Sequence, residues 1–417
     1  MSIQPVSLSG KMPEYLEEVS GSITAPSGYR AAGIACGLKK NKQPDLALIV
    51  SDVPAQTAGV FTKNVVKGHS LQLTRRQIAA GQACAIVINS GNANACVGDI
   101  GLADAESMAA QVAAWLRCPA GQVLTGSTGV IGQRLDMTAV SRGIGLACER
   151  LSQAEEAGHN AERAIMTTDT KPKECVVRLP LGGKTITIAG MAKGSGMIHP
   201  DMATMIAILT TDCAIDHSRL QVLLRLAVDP TFNRVSVDGD TSVCDMVVVL
   251  ANGMAGNAAP APDSEDERKL LEAFTYVCYT LARQIAADGE GATKLIDIRV
   301  EGARDATDAC KIVQAVARSP LVKTALYGED ANWGRILTAA GYSGAVFDPA
   351  RCDIWLGNLM VCAGGTALPF DEAEAKKILQ ESEILIRIIL GEGTAADHIW
   401  TCDFSTEYVR INGSYRS

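Results

Sequence analysis

Four polar, glycine-rich segments interrupt apolar runs of this chain, and each carries side chains suited to chemistry. NSGNANACVG (89–98) follows the apolar run 84–89. Its three asparagines and two glycines either close Asx turns or present amide and backbone donors to a ligand. TGSTGVIG (125–132) alternates glycine with small hydroxyl residues, which lets backbone N–H groups converge on a developing negative charge, or forms a plain turn. A phosphate cradle is disfavoured because the P-loop spacing and its Lys-Ser/Thr ending are missing. KGSGMIHPDMATMIAILTTD (193–212) places Lys193 before a Gly-Ser-Gly turn and Thr204 at the head of the apolar run MIAIL. Taken alone, Thr204 reads as a buried β-branched packing residue, Lys193 as a solvated lysine, and His199 as a turn or surface residue or a general base. VSVDGDTS (235–242) runs into an acidic loop whose Asp238 and Asp240 either form an Asp-Gly turn or bind a divalent cation for phosphoryl transfer.

The elements that must position these residues alternate along the chain. Apolar or alternating runs at 84–89, 184–190, 244–251, 293–300 and 383–390 read as strands, and TEYVRIN (406–412) reads as a terminal strand. Met108, Val112 and Leu116 recur at helical spacing, and residues 371–381 read as a charged helix. The clearest helix begins at Ser264, where Ser264 and Glu267 form a capping-box pattern and Leu270, Leu271, Phe274, Val277, Cys278, Leu281 and Ile285 share one face. MAGNAAPAP (254–262) is the expected linker or sub-domain boundary. The mixture of alternating and fully apolar strands predicts a mixed α/β (α+β) fold.

Composition narrows the function classes. The chain has 417 residues, 47% hydrophobic and 20% charged, enough for a large core and too apolar for disorder. The net charge of −8 argues against nucleic acid or an anionic membrane as main partner. No apolar run reaches the ~18–20 residues of a membrane span, and residues 1–18 have no apolar h-region and three glutamates. The thirteen cysteines show no CxxC and no zinc spacing with the five histidines, so they are expected as reduced thiols in a cytoplasmic protein that holds no metal.

Taken together these segments resemble one family, the ornithine acetyltransferases (glutamate N-acetyltransferases) of arginine biosynthesis. The resemblance runs from about Ser22 to Ser417. It is carried in collinear order by TAPSGYRAAG (24–33), GVFTKN (59–64), NSGNANAC (89–96), STGVIG (127–132), TTDT (167–170), KGSGMIHPDMATM (193–205), VDGDTS (237–242), DGEGATK (288–294), NWGR (332–335) and YVRIN (408–412).

The resemblance implies a self-processing enzyme. The Thr204 hydroxyl attacks the Ala203 carbonyl in an N-to-O acyl shift, the ester hydrolyses, and Thr204 heads a new chain with a free α-amine. That amine, with an ordinary pKa of about 7.7–8, supplies the adjacent base a threonine nucleophile needs. Catalysis is then ping-pong: Thr204 takes the acetyl group from N2-acetylornithine, ornithine leaves, and glutamate accepts it. The implied oxyanion donors are the Thr128 hydroxyl and the Gly129 N–H, one such donor being worth ~10²–10³ in rate. The implied substrate contacts are Thr167, Lys193, Thr204, Glu290, Asn412 and Ser417. Lys193 suits a carboxylate; Glu290 suits the ornithine ammonium but would repel glutamate unless protonated or moved.

The resemblance further implies two lobes with stacked β-layers flanked by helices and the active site in the cleft between them. The products of cleavage are chains 1–203 and 204–417, assembled as a heterotetramer of two of each. Some family members also use acetyl-CoA. With no nucleotide-binding signature beyond glycine-rich turns, acetylornithine is the expected efficient donor, acetyl-CoA entering only as a second substrate and no cofactor being bound. The chain departs from the family pattern at Val97, at Val65–Ser70, at Val243-Cys244 where Thr-Asn is usual, and at Arg416-Ser417 where Thr-Thr is usual. These departures bear on donor and acceptor preference. The competing functions are a self-processed N-terminal-nucleophile amidohydrolase passing the acyl group to water, a metal-dependent phosphoryl-transfer enzyme on Asp238 and Asp240, and an uncleaved amino-acid-binding protein.

Overall fold

The computed structural model describes residues 3, 4, 6, 11–199 and 205–414. Among them, nine strands form one sheet: β1 (Glu17–Glu18), β2 (Tyr29–Ile34), β3 (Leu46–Phe61), β4 (Gln82–Asn92), β5 (Val123–Val130), β6 (Glu174–Leu181), β7 (Lys184–Lys193), β8 (Ile206–Thr211) and β9 (Met246–Ala251). Their order is β1-β6-β7-β8-β9-β3-β4-β5, with β2 also on β3. The sixteen-residue β3 makes this one sheet into two layers. Its first half pairs with β2 and β4, its second half with β9, and the register breaks between Val50 and Ala55. The sheet thereby folds onto itself. Ile86, Ile88 and Leu124 from β4 and β5 pack against Ile206, Ile208, Met246, Val248 and Leu250 from β8 and β9. Gly126 is where the layers come closest, since a Cβ there would lie 2.6 Å from the end of Met246.

Helices cover both outer faces. Introduced in chain order they are α1 (His69–Gln77), α2 (Ile100–Leu116), α3 (Met137–Glu149), α4 (Glu155–Ile165), α5 (His217–Val228) and α6 (Glu265–Ala287). Met108, Ala109 and Val112 of α2 and Val140 and Ile144 of α3 bury against Leu46, Leu48, Ala85 and Val87. On the other side Leu220, Leu223 and Leu224 of α5 and Leu270, Phe274, Val277 and Leu281 of α6 bury against β6 to β9. The cap of α6 forms largely as its sequence pattern indicates. Ser264 accepts from Glu267 N, while Glu267, fully buried, accepts from Asp263 N and pairs with Arg219. The stretch 254–262 connects β9 to α6, and both sides of that connection contribute to the same core.

A second sheet of six strands, again among the described residues, holds β10 (Leu295–Ala303), β11 (Asp353–Leu356), β12 (Leu359–Ala363), β13 (Thr366–Ala367), β14 (Glu383–Ile389) and β15 (Ala395–Cys402), in the order β13-β12-β11-β14-β10-β15. It has its own core, closed by α7 (Ala306–Arg318), α8 (Pro320–Tyr327), α9 (Trp333–Gly341) and α10 (Glu372–Leu379). Trp400 of β15 is buried in the core of the first sheet, edge-on to Tyr279 of α6, so the two halves interlock. The mixed α/β architecture with stacked β-layers is the one expected.

The terminal strand is a correction. Residues 406–414 form a helix, α11 (Thr406–Ser414). TEYVRIN alternates like a half-buried strand, yet α11 buries no residue and Val409 is 71% exposed, so no sheet face is there to reward the alternation. All thirteen cysteines are free thiols. Among the described residues no helix is long and apolar enough to cross a membrane, and no His/Cys/Asp/Glu group could hold a metal.

Candidate active site

One cleft collects residues from six distant segments. Thr128 and Gly129 stand at the end of β5, Thr167 beyond α4, Lys193 at the end of β7, Glu290 between α6 and β10, and Asn412 on α11; Thr168, Gly196 and Ser242 complete the polar part of its lining. Ala203, Thr204 and Ser417 lie outside the described residues, as does Arg416. The structure therefore brings together six of the sequence-derived positions.

Backbone geometry fixes the Thr128–Gly129 corner. β4 and β5 run parallel, with Ser90 opposite Thr128 and Gly91 opposite Gly129. At Gly129 φ is +131°, and a Cβ would lie 2.4 Å from the Gly91 carbonyl carbon, so only glycine fits. The asparagine-rich segment is the scaffold behind this corner. Asn89 accepts from Ser127 Oγ at 2.6 Å and donates to Asn92 O, while the Asn94 side-chain amide donates to Ser70 Oγ and Gly101 O and its backbone carbonyl accepts from His69 N. Of the alternatives offered for it by sequence the structure shows the Asx turn, Asn92 Oδ1 accepting from Asn94 N.

The Thr167, Lys193 and Glu290 segments are tied beneath the cleft by a buried ion cluster that sequence reasoning missed. Lys173, 1% exposed, donates to Asp169 Oδ1 at 2.8 Å and Asp288 Oδ2 at 2.6 Å. Asp169 also accepts from Thr167 N at 2.9 Å and Gly194 N at 2.6 Å. Asp288 accepts from Thr170 and Lys171 N–H groups, and its carbonyl accepts from Ser195 Oγ. Ser195 O in turn accepts from Glu290 N. Burial alone would raise the Asp169 carboxyl, but the Lys193 and Lys173 ammonium groups overcome it and hold the group well below the carboxylate range. Lys193 itself is 3% exposed, so it is a buried cation facing the cleft and not a solvated one.

Glu290 accepts from Asn412 Nδ2 at 2.7 Å. A Cβ on Gly196 would lie 2.4 Å from the Glu290 carboxyl carbon, so that turn must be glycine for Glu290 to lie where it does. Asp238 uses its oxygens to accept from the N–H groups of Met197, Ile198 and Asp240, at 2.5 Å, 2.9 Å and 3.2 Å. Burial pushes it up to about 6. It shapes the 197–198 turn, which is the Asp-Gly-turn alternative for Asp238. His199 bonds Ser236 through Nδ1 at 3.2 Å.

Asp245 is the other residue the sequence did not single out. It is fully buried, both carboxylate oxygens are unbonded, and burial raises it well above the carboxylate range against the pull of Lys193. One acid at the head of the apolar run 244–251 was the available signal. The remaining lining is apolar: Ala93, Ile131, Met197, Val243 and Cys244.

Comparisons with known proteins agree across the chain. The ArgJ family profile matches residues 30–417. The arginine biosynthesis bifunctional protein ArgJ of Symbiobacterium thermophilum is 50% identical over 404 residues, 96% of this chain and 100% of that protein. Its counterpart of the same name in Bacillus subtilis is 42% identical over 405 residues, 97% and 98% of the two chains. A solved chain from Mycobacterium tuberculosis, described as an ornithine acetyltransferase complexed with ornithine, is 37% identical, covers 44% of this chain and 98% of its own, and superposes with a TM-score of 0.42.

Proposed function

This chain belongs to the ArgJ family, and from that premise we propose that it transfers the acetyl group of N2-acetylornithine to glutamate through an ester on Thr204. The observation that carries the reading is the convergence of Thr128, Gly129, Thr167, Lys193, Glu290 and Asn412, drawn from five segments, on one cleft. Thr204 is joined in sequence to Met205, whose carbonyl accepts from Met246 N beside the cleft residues Val243 and Cys244.

In this mechanism the chain first cuts itself between Ala203 and Thr204, giving chains 1–203 and 204–417 that assemble two of each in the cytoplasm. The new α-amine takes the proton of the Thr204 hydroxyl as its oxygen attacks the acetyl carbon. The oxyanion is held by the Thr128 hydroxyl and the Gly129 N–H, inside a cleft where donors act at low dielectric. The C–N bond breaks, the proton passes to the departing ornithine amine, and glutamate reverses the sequence. Lys193 and Thr167 hold the substrate carboxylate. Glu290, with Asn412 donating to it, faces the side chain. Ser417 completes the contact set, and acetyl-CoA is a secondary donor substrate at most.

Denaturing intact-mass analysis with N-terminal sequencing tests the cut. Two chains are expected, the second beginning Thr-Met-Ile-Ala. A single 43.8 kDa chain from active protein would sink the acyl-enzyme mechanism.

A further inference from the structure

We infer that the apolar wall of the cleft, made by Ala93, Ile131, Val243 and Cys244, seats the methyl of the transferred acyl group and limits how long that group can be. The inference rests on the acetyl-transfer reading above and deepens it. The cleft lining is segregated. Thr167, Lys193, Ser242, Glu290 and Asn412 are polar and read an amino acid, whereas the four wall residues offer no charged group.

The wall is also a packing unit of its own. Ala93, Ala95, Val243 and Cys244 form a small cluster separate from the large cores, with Ile131 packed on it. Val243 and Cys244 are 6% and 5% exposed, so what surface they retain is directed into the cleft they line. An apolar cluster with one open side gains by covering it with an apolar group, and roughly 0.8 kcal/mol accompanies each methylene buried.

Its position relative to the reacting groups is set by backbone on both sides. Ala93 N donates to Val130 O at 2.9 Å, which ties the wall to the strand that carries Thr128 and Gly129. On the other side Cys244 precedes by two residues Met246, whose N–H donates to the residue following Thr204. An acyl carbon bonded to the nucleophile, with its oxygen on Thr128 and Gly129, therefore has this wall as the apolar neighbour for its third substituent.

The wall has little slack. Cys244 Sγ lies 3.6 Å from Ala93 O, a Cβ on Gly68 would lie 3.3 Å from that sulfur, and Gly68 N donates to Val243 O at 2.8 Å. Burial raises the Cys244 thiol far above its ordinary range, so it serves as an apolar surface and does not compete with the threonine for the acyl group. In the first transfer the acyl C–N bond breaks, the ester C–O bond forms, and the amine leaves with the threonine's proton; in the second the ester C–O bond breaks, the new C–N bond forms, and the proton returns to the threonine oxygen. Lengthening the acyl group by a CH₂ changes none of these bonds and only enlarges what the wall must hold.

The test compares kcat/KM for N2-acetyl-, N2-propionyl- and N2-butyrylornithine with glutamate as acceptor. The cleaved enzyme, Cys244→Ala and Val243→Ala are measured side by side, and the trapped ester on the denatured C-terminal chain is identified by mass. The wild type is expected to prefer acetyl over propionyl by ~10-fold or more, the range one methylene commands in a closed pocket. Either truncation should shift the propionyl-to-acetyl ratio by at least ~10-fold towards propionyl. A ratio within about twofold of wild type in both cleaved variants would overturn the wall assignment while leaving acetyl transfer standing. Wild-type protein that forms no acetyl ester from N2-acetylornithine would overturn both.

Discussion

Lys173 and Asp288 are 115 positions apart, yet the bond between them decides where three cleft residues stand. Neither spacing nor residue type marks such a pair in sequence. A lysine between turn residues looks solvated until folding brings two carboxylates to it. The glycines were more legible, because positions 129 and 196 sit in strings whose alternation with hydroxyl residues already signals close backbone approach. Beside the cluster, Glu162 shows how much charge is buried under the site. It is fully buried, accepts from Lys173 N at 3.1 Å, and burial pushes it up to about 8. An acid raised in this way binds its proton in the folded state more tightly than in the unfolded one. Its contribution to stability is complete below about pH 4.5 and is lost as the pH rises to about 8. Glu162→Gln keeps the acceptor oxygen and removes the titration. Denaturant unfolding from pH 5 to 8.5 should then show a flatter profile and a gain of about 1–3 kcal/mol at the alkaline end. Profiles of equal slope would remove Glu162 from the account.

Among the elements, α11 separates what the sequence could reveal from what it could not. Five strands with a buried face were legible, at 84–89, 184–190, 244–251, 293–300 and 383–390, where a sheet face enforces alternation or a continuous apolar run. The glycine-rich β5 reads instead as a turn, because its glycines and hydroxyl residues hide its burial. The terminal segment was misread because alternation without burial carries no information about pairing. What holds α11 is local: Ser405 Oγ donates to Gly291 O at 2.6 Å, Phe404 stacks on Tyr408 at 4.7 Å, and a Cβ at Gly291 would lie 2.6 Å from Tyr408 N. The helix therefore rides on the loop that carries Glu290, and its contribution is to the cleft more than to the core. Asn412→Ala should leave the melting temperature within ~2 °C, because α11 buries no residue. It should lower kcat/KM for N2-acetylornithine by ~10-fold, as expected for losing a hydrogen bond to a charged group. A drop in melting temperature as large as a core truncation gives would show that α11 supports the fold instead.

Across the whole molecule, the proposed cut site lies between two strands that are neighbours in the sheet. β7 precedes Ala203 and β8 follows Thr204, and the two pair antiparallel from Ile188–Thr211 to Lys193–Ile206. β9, also after the cut, pairs on its far side with β3 from Gln56–Ala251 to Phe61–Met246. The later chain thus places two strands inside a sheet whose outer strands all belong to the earlier one. Its layered core adds contacts from both sides of the cut. Cleaved protein should consequently keep both chains together in native mass spectrometry and separate them only in denaturant. Fragments that part on a native sizing column would contradict that interleaving.

Interleaving of this kind has a bearing on how such a protein can be encoded. A gene divided at codon 204 would ask two separately made polypeptides to find each other with β8 and β9 unpaired on both edges, the condition in which strands aggregate. Within one polypeptide the covalent link between β7 and β8 holds the partners at high effective concentration until the sheet has closed. If the proposed scission occurs, this topology calls for translation as one open reading frame and for a cut made only after the sheet has formed.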